Sequence, residues 1–328
     1  MSMPEITVGP DDAGSRLDKF LRRRLPGMPL SHIYKLLRTR KVRLNGKRAR
    51  AEQILGAGDR LLLHVDRERF ESDSAVHRPR RSTGRLDFSV VFEDEHLLVV
   101  GKPPFLAAHP GAGHNTDSLI DQVHAYLEVR PDAVFRPALA HRLDRDTSGL
   151  VLIGKTGPAL RALNRLLHQG QVHKSYLGLV RGTLRPEQGR FEMMVERRDV
   201  PGFVGDRRRG RPDQPGRTEY RVALRRELDL DGRNTPVSLV VLQLLTGRTH
   251  QLRSHLYQAG HPLLGDARYG DEKLNRALRE RFGLNRQFLH AYRLELPHPI
   301  GAKPLRLSMG YPPDLLPLVE ALRLGVPT

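Results

Sequence analysis

The chain contains no cysteine and no tryptophan, and only 5% of its residues are aromatic. Without cysteine there is no disulfide framework, no thiolate nucleophile and no Cys-based zinc or iron–sulfur site. No apolar run approaches the roughly 18 residues that a membrane-spanning helix needs. Met1–Gly14 carries Glu5, Asp11 and Asp12 and lacks the apolar centre of a signal peptide, so a soluble, cytoplasmic protein is expected. Neither a Gly-x-Gly-x-x-Gly fingerprint nor a Walker-type loop occurs, and no nucleotide cofactor is implied. Acid is scarce too: 37 Asp and Glu face 55 Lys and Arg, a net charge of +18. Charge of that size does not choose a fold, but it indicates a polyanionic partner, nucleic acid above all. With 328 residues the chain is long enough for two domains and a sizeable core.

The charge is concentrated. Gly14 to Arg50 holds 13 Lys or Arg, among them Arg22, Arg23, Lys35, Arg38, Arg40, Lys41, Arg43 and Lys47, against the single acid Asp18. Like charges so crowded repel one another unless an anion neutralises them, which marks an RNA- or DNA-binding module. Leu17, Phe20, Leu21 and Leu25 recur at helical spacing, as do Ile33, Leu36 and Leu37 behind Ser31, a candidate N-cap. Lys41–Leu44 alternates like a strand into an Asn45-Gly46 hairpin turn, and Leu61–Leu63 supplies a further strand. The expected division is a basic module at 14–65, a polar linker at 66–85 and a larger domain at 86–328.

Strand patterns then follow at Phe88–Phe92, Leu97–Val100, Leu150–Ile153, Tyr176–Val180, Phe191–Val195, Tyr220–Leu224, Val237–Leu245, Leu289–Leu296 and Leu305–Met309. Helical spacing appears at Ser118–Leu127, Ala159–His168, Gln251–Gln258, Leu274–Phe282 and Leu315–Leu324. Several consecutive strands have no helix between them. That predicts an α+β domain on a mixed, mostly antiparallel sheet. The Arg/Gly/Pro stretch Gly205–Arg217 reads either as a solvated insertion or as a phosphate-contacting arm.

Three clusters carry chemistry. His141-Arg142-Leu143-Asp144-Arg145-Asp146-Thr147-Ser148-Gly149 is a polar loop that enters a strand fit to be buried, the usual setting of catalytic groups. Arg142 and Arg145 flank its carboxylates, and a nearby guanidinium keeps an aspartate ionised, as a nucleophile requires. An Asx-turn with an ion pair accounts for the same residues without chemistry. Thr246–Arg253 opens a helix, with Thr249 a candidate cap. Arg253 in its first turn opposes the helix dipole and calls for an anionic partner elsewhere. Lys174-Ser175-Tyr176 heads a strand, where a tyrosine serves packing or stacks on a base. His250 and His255 are five residues apart and lack the glutamate of a zincin, so no metal site is expected.

In this order, His141–Gly149, Lys174-x-Tyr176, Gly247–Arg253, Gly265-Asp266-x-Arg268-Tyr269-Gly270 and Phe288-Leu289-His290-Ala291 resemble the RluA family of pseudouridine synthases. The basic module is similar to the small RNA-binding domain of the S-four type. The resemblance spans about residues 14–64 and 86–310. The run ending at Asp271 and Gly283-Leu284-Asn285-Arg286 resemble members that act on large-subunit (23S) ribosomal RNA. The resemblance implies a cofactor-free isomerase that flips a uridine out of its RNA. It makes Asp144 the catalytic aspartate, Tyr176 the tyrosine against the base, and Arg253 the arginine paired with the carboxylate. It also implies that Arg142 fills the gap left by the base and that Arg248 contacts phosphate. Asp146 stays structural, and a monomer working on ribosomal RNA, in precursor or assembly form, is expected. The competing expectation is a catalytically silent ribosome-assembly factor on the same scaffold.

Overall fold

Leu17, Phe20 and Leu21 form the buried face of helix α1 (Leu17–Arg24), which packs on Ile33, Leu36 and Leu37 of α2 (Leu30–Arg38). The computed structural model describes residues 3–66, 70, 86–110, 117–130, 133, 135–195, 215–230 and 232–327. Most of the expected 66–85 linker and positions 205–214 of the basic stretch lie outside the described residues. α2 begins one residue ahead of Ser31: the Pro29 carbonyl accepts the first helical N–H groups, and no side chain caps the helix. Strands β1 (Glu5–Thr7), β2 (Val42–Leu44), β3 (Lys47–Arg48) and β4 (Arg60–Leu63) make an antiparallel sheet in the order β1-β4-β2-β3. Asn45 and Gly46, both with positive φ, close the β2–β3 hairpin as a primed turn. β1 joins this sheet from ahead of Gly14 and adds Ile6 to its core, and the neighbouring Val8 packs there too.

The second unit is one large sheet. Its strands are β5 (Ser89–Glu93), β6 (Leu97–Lys102), β7 (Ala138–Leu139), β8 (Ser148–Gly154), β9 (His173–Arg181), β10 (Gln188–Met193), β11 (Gly216–Leu230), β12 (Arg233–Leu244), β13 (Leu289–Leu296) and β14 (Leu305–Ser308). The order is β10-β11-β12-β9-β13-β8-β6-β5, with β7 against β8 and β14 against β13. Among the described strands only β13 and β8 run parallel, so the mixed, mostly antiparallel α+β expectation holds. Gly216 and Arg217, expected at the end of the basic stretch, are the first residues of β11.

Alternation along each strand sends neighbouring residues to opposite faces. Leu98, Val100, Val151 and Ile153 face one side, covered by α3 (Leu119–Tyr126) and α5 (Gln251–Gln258). Leu97, Val99, Leu150 and Leu152 face the other, against Leu163 of α4 (Gly157–His168). Further along that second face, α6 (Glu272–Phe282) and α7 (Leu316–Ala321) cover Leu177, Leu179 and Leu239. Ser118 caps α3 reciprocally with Asp121, the arrangement its sequence allows.

Candidate active site

The register of the sheet sets the site. Gly149, first glycine of β8, pairs with Ala291 of β13, and Ala291 pairs in turn with Tyr176 of β9. One row across three strands therefore brings the end of the Asp144 loop level with Tyr176. Only glycine fits at 149: φ is +125°, and a Cβ would overlap the Ala291 backbone.

The loop before β8 is pinned at several points. At its start His141 Nε2 accepts the Leu152 N–H at 3.2 Å, so the ring is neutral there, and burial pushes its pKa down to about 3. Thr147 N–H donates to the Asp144 carbonyl at 3.1 Å, closing a tight turn. Behind it lies Arg286, wholly buried. Its guanidinium donates to Asp314 at 2.6 and 3.2 Å, to the Asp146 carbonyl at 3.1 Å and to Ser148 Oγ at 3.0 Å. Lys102, also wholly buried, donates from Nζ to the carbonyls of Pro103, Leu106 and Arg145. Two interior side chains, the Arg286 guanidinium and the Lys102 amine, whose pKa burial lowers to about 7, thus hold the loop by its main chain, leaving the Asp144 side chain 23% exposed.

Asp144 is not held by its sequence neighbours. Arg145 instead grips Asp146 at 2.7 and 3.1 Å, which supports the structural role for Asp146, and Arg142 points out exposed. The cation beside Asp144 comes from α5: Arg253 Nη1 stands 3.7 Å from Asp144 Oδ2. Arg253 has a closer partner, Asp266, which its Nε and Nη2 engage at 2.7 and 2.8 Å. Asp266 is fully buried and also accepts the backbone N–H groups of Arg268 and Tyr269. Burial alone would push its carboxyl up, but the Arg253 hydrogen bonds and charge outweigh that and hold it below the usual range. Burial likewise works against the Arg253 guanidinium, while Asp266 and Asp144 together raise it further. The Tyr269 ring lies under it, 5.2 Å from centroid to Cζ. This is the anionic partner that Arg253, misplaced for the helix dipole, demands.

His250 completes the cluster and is absent from the sequence-derived set. Thr249 does not cap α5: His250 occupies that position, in the left-handed region at φ 58° and without a side-chain cap bond. Its Nδ1 faces Arg268 Nη1 at 3.1 Å. A guanidinium can only donate, so Nδ1 accepts and Nε2 carries the proton. Nε2 lies 3.8 Å from Asp144 Oδ2. Burial holds His250 below the ordinary imidazole range, with the Asp144 charge pulling the other way.

Tyr176 is 4% exposed, and burial first, then the Asp144 charge, push its phenol well above the usual range. It is neutral at any physiological pH. Arg248 is exposed on the loop ahead of α5. In the basic module Arg22, Lys35, Arg38, Arg40, Lys41, Arg43 and Lys47 are exposed, whereas Arg23 is committed to buried Asp12 at 2.8 Å. The structure therefore unites Asp144, Arg253 and Tyr176 and leaves the predicted RNA-contacting cations on the surface.

Similarity to known proteins agrees with this geometry. Residues 96–258 match the family described as RNA pseudouridylate synthase, and residues 15–61 match the S4 domain. Ribosomal large subunit pseudouridine synthase C of Escherichia coli (strain K12) is 36% identical over 98% of this chain and 97% of its own. The protein of that name from Pasteurella multocida (strain Pm70) is 34% identical over 97% and 93%. Among solved structures, human RNA pseudouridylate synthase domain containing 4 superposes with a TM-score of 0.56 at 27% identity, covering 73% of this chain and 95% of that one. These matches, with a fixed carboxylate beside Arg253 and His250 on this sheet and an S4 domain ahead of it, place the chain in the RluA family of pseudouridine synthases.

Proposed function

We propose that the protein isomerises specific uridines of 23S ribosomal RNA, in precursor or assembly form, to pseudouridine, working as a cytoplasmic monomer. The observation that carries this reading is the partly exposed Asp144 carboxylate, with Arg253 Nη1 at 3.7 Å and His250 Nε2 at 3.8 Å and its backbone locked from behind. In the reaction the N1–C1′ bond breaks and its electron pair leaves with the uracil. The ring turns, C5 bonds to C1′, the C5 proton is lost, and N1 ends protonated. Atoms and electrons balance within the nucleoside, so no cofactor is called for.

Asp144 enters either by adding to C1′ or by removing the 2′ proton, and both routes need it ionised. Arg253 supplies the adjacent positive charge, and because Asp266 fixes its plane it need not reorganise as charge shifts. Tyr176 packs against the turning base. Held neutral, its hydroxyl passes the C5 proton on to Asp144 and does not store charge. Extruding the uridine costs a few kcal/mol of unstacking. Arg142 fills the vacated space, while Arg248 and the cations up to residue 65 grip phosphate and offset that cost. The domain from residue 86 onward does the chemistry.

The test is Asp144→Asn assayed on a large-subunit rRNA fragment. Pseudouridine formation should fall to background while RNA affinity stays within a few fold. Turnover near wild type would remove Asp144 from this role. Mapping pseudouridines in rRNA from cells lacking the gene identifies the target sites.

A further inference from the structure

The two units meet along α4, and their seam is closed at one end and open at the other. At the closed end Asp11 caps α4: its Oδ1 accepts the Gly157 N–H at 3.0 Å, and its carbonyl accepts from Arg161 Nη1 at 2.8 Å. A carboxylate there meets unpaired N–H groups and the positive end of the helix. Gly157 permits the approach, because a Cβ would collide with the Asp11 carbonyl oxygen. At the open end is a groove of about 500 Å³ between Lys19 of α1 and Arg161, Asn164, Arg165 and His168 of α4, with Gln169 just past its end.

Arg161, Asn164, Arg165 and His168 fall on one helix face by their spacing. No carboxylate lines the groove. Among the described residues, none is within ion-pair reach of Lys19 or Arg165. Arg161 is already crowded: burial first, then the charge of Arg23, weigh against its guanidinium, with Asp12 and Asp11 pulling the other way and Arg165 adding to the crowding. Cations converge here from two domains in a groove with no carboxylate in its lining, and every lining side chain can donate a hydrogen bond. That is the chemistry of a phosphodiester site.

We infer that this groove is a second RNA-binding site, which takes the backbone of a segment distant from the reacting uridine. The inference rests on the RNA-modifying reading above and adds where, and how, the RNA is held. Distance follows from the sheet. Leu163 of α4 packs with Leu150 and Leu152, whereas Leu252, next to Arg253, packs with Val151 and Ile153 on the opposite face. RNA touching both places must wrap an edge of the sheet. The groove therefore anchors substrate and takes no part in bond breaking. It is also composite, existing only while Asp11 holds the domains together.

The experiment uses the full chain carrying Lys19→Glu and Arg165→Glu, with a large-subunit rRNA fragment of about a hundred nucleotides as probe across a salt series. Two lost phosphate contacts should flatten the log affinity–log salt slope by about one to two and weaken binding roughly tenfold. With turnover, the loss should fall on KM and spare kcat. The milder Lys19→Gln, Arg165→Gln pair should show the same direction at smaller size, which separates charge from misfolding. Asp11→Ala should lose a similar part of the slope. Unchanged affinity and slope in the charge-reversed chain would overturn the site, and full retention in Asp11→Ala would overturn its composite nature. The salt slope is read without turnover, so an inactive wild-type enzyme would contradict the proposed function and leave this test standing.

Discussion

The basic module and the catalytic cleft use the same residue type in opposite ways. In the module, Arg38, Arg40, Lys41, Arg43 and Lys47 stand exposed on a small apolar core. In the cleft, Arg253 and Arg286 are buried and bound to Asp266 and Asp314. Exposed cations act at a distance, are screened by salt and cost little to keep. Buried ones demand a carboxylate and return a fixed geometry. On the proposed reading this is a division of labour: free charge collects the RNA, and committed charge positions one aspartate against one nucleotide.

The sharpest way to break this contrast is Asp266→Ala. It strips Arg253 of both its short hydrogen bonds, leaving only Asp144 at 3.7 Å beside a buried cation, and should cost about 3–5 kcal/mol in denaturant unfolding, with turnover lost. A chain destabilised by less than about 1 kcal/mol would show that Arg253 does not depend on this pair.

Acid sharpens it next. Burial, followed by the charge of Arg286, pushes His290 down to about 4. The unfolded imidazole takes up a proton below about 6.5, while the folded one resists until about 4. Stability from this group is thus whole at neutral pH and drains away between those values, up to about 3 kcal/mol. Denaturant midpoints at pH 7 and pH 4.5 measure it, and His290→Gln should flatten that part of the profile. The exposed module cations should contribute nothing to it.

On the other side, replacing Arg38, Arg40 and Lys41 together by Gln should lower the salt slope of RNA binding by about two to three. Each change should leave thermal stability within about 0.5 kcal/mol. A marked stability loss would mean that these cations are structural after all. A small effect on stability is also expected of His250→Gly. Relief of the left-handed backbone offsets the extra freedom of glycine in the unfolded chain, so stability should stay within about 1 kcal/mol. Loss of kcat without loss of stability would place His250 in the chemistry, and unchanged kcat would reduce it to packing.

The sequence patterns that proved readable are local ones. Helical spacing placed α5 at Gln251–Gln258, and alternation placed β13 at Leu289–Leu296, both to the residue. The Asn45-Gly46 turn needed only its neighbours. Arg253 even announced a missing partner by opposing its own helix dipole. What could not be read depends on chain closure. Asp266 lies 13 residues from Arg253, and Arg286 reaches Ser148 across 138. β1 is too short to show a pattern and exists because β4 offers it an edge. Arg142 and Arg145 looked like the guardians of Asp144 because adjacency in sequence is all a sequence displays. The fold turned them away and brought in Arg253.

Arg286 has one more consequence. Its guanidinium joins the aspartate loop to Asp314 in the 3-10 turn Pro313–Leu315, some 170 residues later in the chain. Loss of the chain from Asp314 onward would leave Asp144, Tyr176, Arg248 and Arg253 in the sequence and still remove the carboxylate that holds Arg286 against the loop that aims Asp144. Damage far from the reaction would then present as a fault in chemistry with binding intact.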